Sequence, residues 1–318
     1  MGSYLVTGGA GFIGSTLCDR LLAEGKRVVA VDNLSVGRIA NLAEARGYGQ
    51  QFTFYDIDIR SDGLGMVFER HQPEVVMHLA AQSAVRVSIE DPLLDAGVNL
   101  LGLLNVLKTA AAAEVRKVVF ASSGGTLYGE KPKLPSKETQ RLRARPASPY
   151  GISKKTAEDY LHFFRRHADL DFTALALGNV YGPRQDPHGE AGVIAIFSSR
   201  MLAGETPTIF GTGDQTRDYV FVDDVVHGFS LAAERGSGHL INIGTGVEAS
   251  VNDLYRMLSD LTKFGLEPEF GPLREGEVLR SCLSIELAEA ELGWKPWTHL
   301  EDGLAETVAW FREGMRGR

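Results

Sequence analysis

Cysteine is nearly missing from this chain: among 318 residues only Cys18 and Cys282 occur, neither in a CxxC pair nor in a cluster with metal-ligand spacing. A disulfide scaffold and structural zinc drop out, and no metal is expected. Excess positive charge is missing too. With 33 Lys and Arg against 41 Asp and Glu, the net charge of -8 lacks the basic footprint of a nucleic-acid binder. No Lys or Arg precedes an apolar run at the N-terminus, and Val6 stands where a myristoylation signal wants Ser or Thr. Long apolar runs are lacking, so no stretch reaches the ~20 residues required to cross a bilayer. The expectation is a cytoplasmic protein with neither a membrane nor a nucleic-acid partner. Disordered and fibrous classes drop out as well, because 44% hydrophobic and 23% charged residues is an ordinary globular balance.

What is present is a rhythm. Short β-branched runs alternate with helical patterns: YLVTG, the stretch 12–24, RVVAVD, QFTFYDI, 64–71, VVMHLA, 99–113, KVVFASS, 150–167 and FTALAL. That alternation predicts an α/β fold, a doubly wound parallel sheet of the Rossmann type. Strands buried on both faces explain the unbroken hydrophobicity of VVMHLA and KVVFA. The stretch 129–149, rich in Lys, Arg and Pro, reads as an exposed loop. Beyond Asn179 the rhythm shifts to shorter, Gly- and Pro-punctuated elements. A first domain over 1–178 and a smaller C-terminal α/β substrate domain over 179–318 follow, with segments near 218–245 rejoining the first.

Between the first strand and the first helix lies TGGAGFIG. Gly8, Gly11 and Gly14 are spaced G-x-x-G-x-x-G, which lets the backbone turn tightly and approach a ligand without Cβ obstruction. The N–H groups and positive dipole end of the following helix, starting at Phe12 and Ile13, suit a pyrophosphate. The next strand ends in Asp32, 18 residues after Gly14, where a carboxylate accepts ribose hydroxyls and repels a 2′-phosphate. NAD is therefore expected over NADP, with Arg38 nearby as the one residue that favours the phosphate.

Tyr150 and Lys154 are four apart on a predicted helix and project from one face. The strand before it ends in Ser122 and Ser123, at the sheet edge where open α/β proteins bind ligands. A phenol with pKa near ~10 is too weak a base at neutral pH, and an adjacent ammonium is expected to lower it. Tyr150 then removes a proton from a substrate hydroxyl that a serine or threonine holds.

These residues resemble the extended short-chain dehydrogenase/reductase family and, within it, the UDP-sugar 4-epimerases. The likeness runs nearly end to end, through TGGAGFIG, VDNLS, DIDIRSD, HLAAQSAVRVSIEDP, SSGGTLYGE, SPYGISK, GNVYGPRQ, IFGTGDQTRDYVFVDDV, NIGTG, REGEVLRS and ELGWKP. The resemblance implies that Asn33 contacts the cofactor, Asp58 and Ile59 meet adenine, Leu79, Ala80 and Ala81 line the cofactor, and Asn99 and Ser122 stand beside it. It implies Tyr150 and Lys154 as the catalytic pair. Many 4-epimerases carry Ser where this chain has Gly124, which shifts the expected hydroxyl to Ser123, with Thr126 as the alternative. Asn179, Arg217 and Arg274 resemble the residues that hold the nucleotide diphosphate, as the forked guanidinium suits. Val193, in the segment 192–197, and Phe210 resemble the wall around the base, Phe210 being equally readable as core. A homodimer built on the helices at 99–113 and 150–167 is implied, unless Leu103, Leu107, Leu161 and Phe164 face only their own sheet.

Among family chemistries, dehydration wants carboxylates where Gly124, Gly125 and Thr126 stand, and NADPH-dependent reduction is opposed by Asp32. The expected reaction is NAD-dependent epimerisation at carbon 4 of a UDP-sugar. Ser281, small at a position that is bulky in enzymes restricted to plain hexoses, leaves room for N-acetyl forms. Arg86 and Arg184 keep UDP-glucuronate open, or are structural. A non-catalytic NAD sensor on the same fold is the reading of another class.

Overall fold

The computed structural model describes residues 2–129, 133–188, 192–273 and 278–316. Seven strands form one parallel sheet: β1 (Ser3–Thr7), β2 (Arg27–Asp32), β3 (Phe52–Asp56), β4 (Val75–His78), β5 (Lys117–Ser123), β6 (Asp171–Leu177) and, after β7 (Asn179–Tyr181), β8 (Thr208–Phe210) and β9 (Thr216–Phe221) elsewhere, β10 (His239–Ile243). Their spatial order is β10-β6-β5-β4-β1-β2-β3, every pair parallel. The order reverses beside β1, so a crevice opens between the carboxyl ends of β1 and β4.

Both faces of the sheet are covered, as the unbroken apolar runs require. Along β1 and β2, Tyr4, Val6, Val28 and Ala30 enter one core layer, whereas Leu5, Val29 and Val31 enter the other. The helix Phe12–Ala23 packs in the first layer through Leu17, Leu21 and Leu22, and Leu103, Val106, Leu107 and Ala110 build the second. Each fully buried Leu or Val contributes about 1.5–3 kcal/mol.

The helical run Pro92–Ala112 corrects one expectation. A π turn at Gly97–Gly102 joins the short helix Pro92–Ala96 to the helix Leu103–Ala112, giving 21 residues that hold an 18-residue window of mean hydropathy 1.3, enough by length and composition to cross a membrane. Asp95, Asn99, Asn105 and Lys108 interrupt the apolar string, which hid this length from the sequence. The run lies against the sheet, with Asp95 and Leu103 fully buried.

A smaller layered region carries a three-stranded sheet in the order β11-β9-β7, where β11 is Glu248–Ser250, and the parallel pair β12 (Glu269–Gly271) with β8. Helix Val251–Thr262 starts at a capping box between Ser250 and Asp253. It packs on helix Val193–Leu202 through an edge-to-face contact of Tyr255 with Phe197. Asp218 on β9 ties the regions together: buried, it accepts from Thr245 N and Oγ1 and from Gly246 N beyond β10, and from Leu283 N.

Candidate active site

Gly8 takes a positive φ of 70°, and its N–H reaches the Val31 carbonyl at 2.8 Å. A Cβ there would lie 2.8 Å from Ala80 N, and one on Gly14 only 2.0 Å from Gly8 O. Backbone touches backbone, so only glycine fits. Helix Phe12–Ala23 begins at Gly11 with no side-chain cap and no acidic residue in its first turn, leaving N–H donors for an external anion.

Every residue expected to hold the cofactor, except Asn99, lines one cavity of about 580 Å³ along this crevice. Asp32 and Asp58 stand on its β2–β3 side, Ser122, Tyr150 and Lys154 on its β5 side. Asp32 is buried and accepts from Ala10 N at 3.0 Å and Leu34 N at 2.8 Å, while burial raises its pKa. Asp58 is clasped by Arg60 and by Asn33 Nδ2 at 2.9 Å, and the Arg60 side chain holds its carboxyl well below the usual range. Arg38, the residue that favoured a 2′-phosphate, is instead paired with Asp186 at 2.7 Å.

Asn99 departs from expectation. It is buried behind the wall, where Gln82 N donates to its Oδ1 at 3.0 Å and its Nδ2 donates to Gln82 O at 2.8 Å. It therefore supports the lining without belonging to it. The same Nδ2 reaches Asp95, a fully buried carboxylate that the sequence reading passed over. The one signal was spacing, since Asp95 precedes Asn99 by four residues and shares its helix face.

Helix Pro149–Ala168 is capped by Ser148, whose hydroxyl accepts from Gly151 N. Its first turns bury Tyr150 and Lys154. Lys154 Nζ donates to Ala121 O at 2.8 Å and lies 4.7 Å from the centre of the Phe120 ring and 5.6 Å from that of Tyr150. Burial pushes Tyr150 up to about 12, against the lowering effect of a hydrogen bond with Ser123. Burial likewise brings Lys154 down to about 8, opposed by the charge of Asp95. The expected acidification of the phenol is thus absent in the protein alone, where burial raises it.

Of the two candidate hydroxyls, Ser123 ends β5 and bonds the phenol, whereas Thr126 Oγ1 is buried without a hydrogen-bond partner among the described residues. Gly124 lies under Leu283: a Cβ would come within 2.6 Å of Leu283 Cδ1, so a serine there would require Leu283 to shift.

The residues expected on the sugar-nucleotide side fall outside the cavity. Asn179 begins β7 beside Gly125, and Arg217 on β9 is half-buried with Nη1 on Thr216 O at 2.9 Å. Val193 and Phe210 are half-buried on helix Val193–Leu202 and β8, and Arg86 is exposed on helix Val85–Glu90. Arg274 lies outside the described residues. Arg184, one of two arginines considered for a sugar carboxylate, is tied to Asp19 at 2.6 Å and Glu44 at 3.4 Å and is structural. Asp224 is structural as well, accepting from the backbone of Trp297 and Thr298.

Known proteins agree with this geometry. Residues 4–244 match the family described as NAD dependent epimerase/dehydratase. A protein of Mycolicibacterium smegmatis named UDP-glucose 4-epimerase is 49% identical over 309 residues, covering 97% of this chain and 98% of its own. The crystal structure of a UDP-glucose 4-epimerase from Thermotoga maritima with UDP-glucose is 46% identical, with a TM-score of 0.94 over 98% of this chain and 99% of that one. A UDP-glucose 4-epimerase of Thermus thermophilus in complex with NAD is 41% identical, at 0.90 over 98% and 99%. With a family match and a near-half-identical relative both spanning the glycine loop, the crevice and the Tyr150–Lys154 helix, this chain belongs to the NAD dependent epimerase/dehydratase family.

Proposed function

We propose that this protein is an NAD-dependent isomerase that inverts carbon 4 of a UDP-hexose, interconverting UDP-glucose and UDP-galactose through a transient 4-keto sugar. The observation that carries the reading is one crevice with a glycine cradle and Asp32 on one side of the switch point and Tyr150, Lys154 and Ser122 of β5 on the other. The cradle fits a dinucleotide because a side chain at Gly8 or Gly14 would fill it and the uncapped helix start suits a pyrophosphate. Asp32, Asn33, Asp58 and Ile59 would hold the adenosine half. When bound, NAD supplies the hydride acceptor and donor and a positive ring charge.

The chain's own groups handle the proton. Ser123 orients the phenol, Tyr150 takes the proton of the sugar's 4-hydroxyl and returns it after the keto sugar turns over, and Lys154 keeps a cation beside it. Asn179 and Arg217, with Arg274, anchor the diphosphate during the turn, and Val193 and Phe210 flank the base. Ser281, buried and small, leaves room for an N-acetyl substituent.

Cys18 and Cys282 are free and buried, as suits a reducing cytoplasm. We place a homodimer contact on Leu93, Leu101, Ile152 and Phe163, four of the exposed apolar residues of the Pro92–Ala112 run and the Pro149–Ala168 helix. Incubation with UDP-galactose, UDP-GlcNAc and UDP-glucuronate in separate reactions, resolved by chromatography, tests the function. Conversion of UDP-galactose to UDP-glucose is expected, and no conversion of any of the three overturns the reading.

A further inference from the structure

Asp95 is the meeting point of two structures that the reaction needs in register. Its Oδ2 accepts from Ser153 Oγ at 2.6 Å, 58 positions away in sequence. Ser153 sits one residue before Lys154 and three after Tyr150, so fixing it fixes the rotation of the helix that aims both. The Oδ1 accepts from Asn99 Nδ2 at 2.9 Å and Gln82 Nε2 at 3.2 Å. Asn99 and Gln82 in turn hold the wall of the crevice, where Gln82, Ser83 and Ala84 line the cavity. Three donors converge on one carboxylate with no exposed surface, so its oxygens are satisfied by the protein in the absence of water.

We propose that Asp95 is a positioning residue: through Ser153 and Asn99 it locks the catalytic helix to the cofactor wall, and its charge is the buried counter-charge of the Lys154 ammonium. The inference rests on the reading of Tyr150 and Lys154 given above.

The surrounding charges support the second half. Asp95 acts on both Tyr150 and Lys154, raising each. His78 on β4, stacked on Phe120, is a further titratable neighbour of Lys154, and burial brings it down to about 3, so it is uncharged near neutrality. Arg86, Glu90 and Asp91, from the helix and turn preceding Asp95, are exposed, where water screens them.

Two substitutions separate the lock from the charge. Asp95→Asn keeps the shape, since an amide can accept from Asn99 and Gln82 and donate to Ser153, but removes the charge. Ser153→Ala keeps the charge and breaks the tie. Wild-type turnover of UDP-galactose is measured first; an inactive wild type removes the functional reading and this inference with it. With an active wild type, Asp95→Asn is expected to move both limbs of the pH–rate profile to lower pH by about one unit, because both groups lose the carboxylate that raises them. The same shift is expected in the ultraviolet titration of the Tyr150 phenolate, read against Tyr150→Phe on the NAD-loaded protein. Ser153→Ala is expected to slow turnover about tenfold through misalignment with the limbs unmoved. A folded Asp95→Asn protein with unmoved limbs and an unmoved phenolate overturns the role of the charge. Should that variant not fold, Ser153→Ala turning over at the wild-type rate overturns the proposal by itself.

Discussion

The Lys154 ammonium donates to the Ala121 carbonyl at 2.8 Å while its nitrogen stands 5.6 Å from the centre of the Tyr150 ring. Anchored to β5, it stands beside the phenol without bonding its oxygen, whose side-chain hydrogen-bond partner is Ser123. The division of labour gives each side chain a separable test.

Replacing Tyr150 by Phe removes one oxygen from a ring that is 9% exposed and leaves the packing in place. Turnover is expected to fall by about 10²–10⁴-fold, the usual contribution of a positioned acid/base. Affinity for NAD, measured by fluorescence titration, should stay at the wild-type value. Turnover close to wild type would remove Tyr150 from the chemistry.

His78 predicts an acid limit to stability. Its Nδ1 lies 2.7 Å from Thr7 Oγ1, and burial lowers it from 6.5 to about 3 in the folded protein. Between those values the unfolded chain binds the extra proton, so stability is full above about pH 6.5 and falls as pH drops toward 3, by about 1.4 kcal/mol per unit. Urea denaturation at pH 7 and pH 5 should therefore show wild type losing about 2 kcal/mol more than His78→Gln over the same interval. Equal losses in the two proteins would place the acid sensitivity elsewhere.

The homodimer contact is tested on the two helices that would meet. Leu101 is 64% exposed and Phe163 53%, whereas Leu103, Leu107 and Leu161 are buried against their own sheet. Leu101→Lys combined with Phe163→Lys should convert a dimer to a monomer in sedimentation velocity, with the far-ultraviolet dichroism of wild type. A dimer that survives both changes uses a different face.

These leucines also show where sequence reading stops. Both helices are apolar on more than one side, so periodicity could not say which leucines meet the sheet until the sheet was in place. The glycine loop, Asp32 and the Tyr150–Lys154 pair were legible because their geometry is local: a strand-to-helix turn fixes the first and a single helical turn the last. Asp95, Gln82 and Ser153 were not, since what joins them is contact between separate elements, 13 and 58 positions apart in sequence. The phenol's acidity was misjudged for the same reason, burial being a property of the whole fold. Gly124 looked like a lost serine, and only the seating of Leu283 above it, through Asp218, accounts for the glycine.

The last strand of the large sheet comes from far along the chain. β10 pairs with β6 from His239↔Thr173 to Ile243↔Leu177, after some sixty intervening residues have built β7, β8 and β9 elsewhere. A ribosome that has released everything through β6 has therefore produced a sheet whose outer rim still bares a row of amide and carbonyl groups. Until the later segment arrives to seal it, the nascent protein offers that rim to any extended peptide nearby, and a truncated version would offer it permanently.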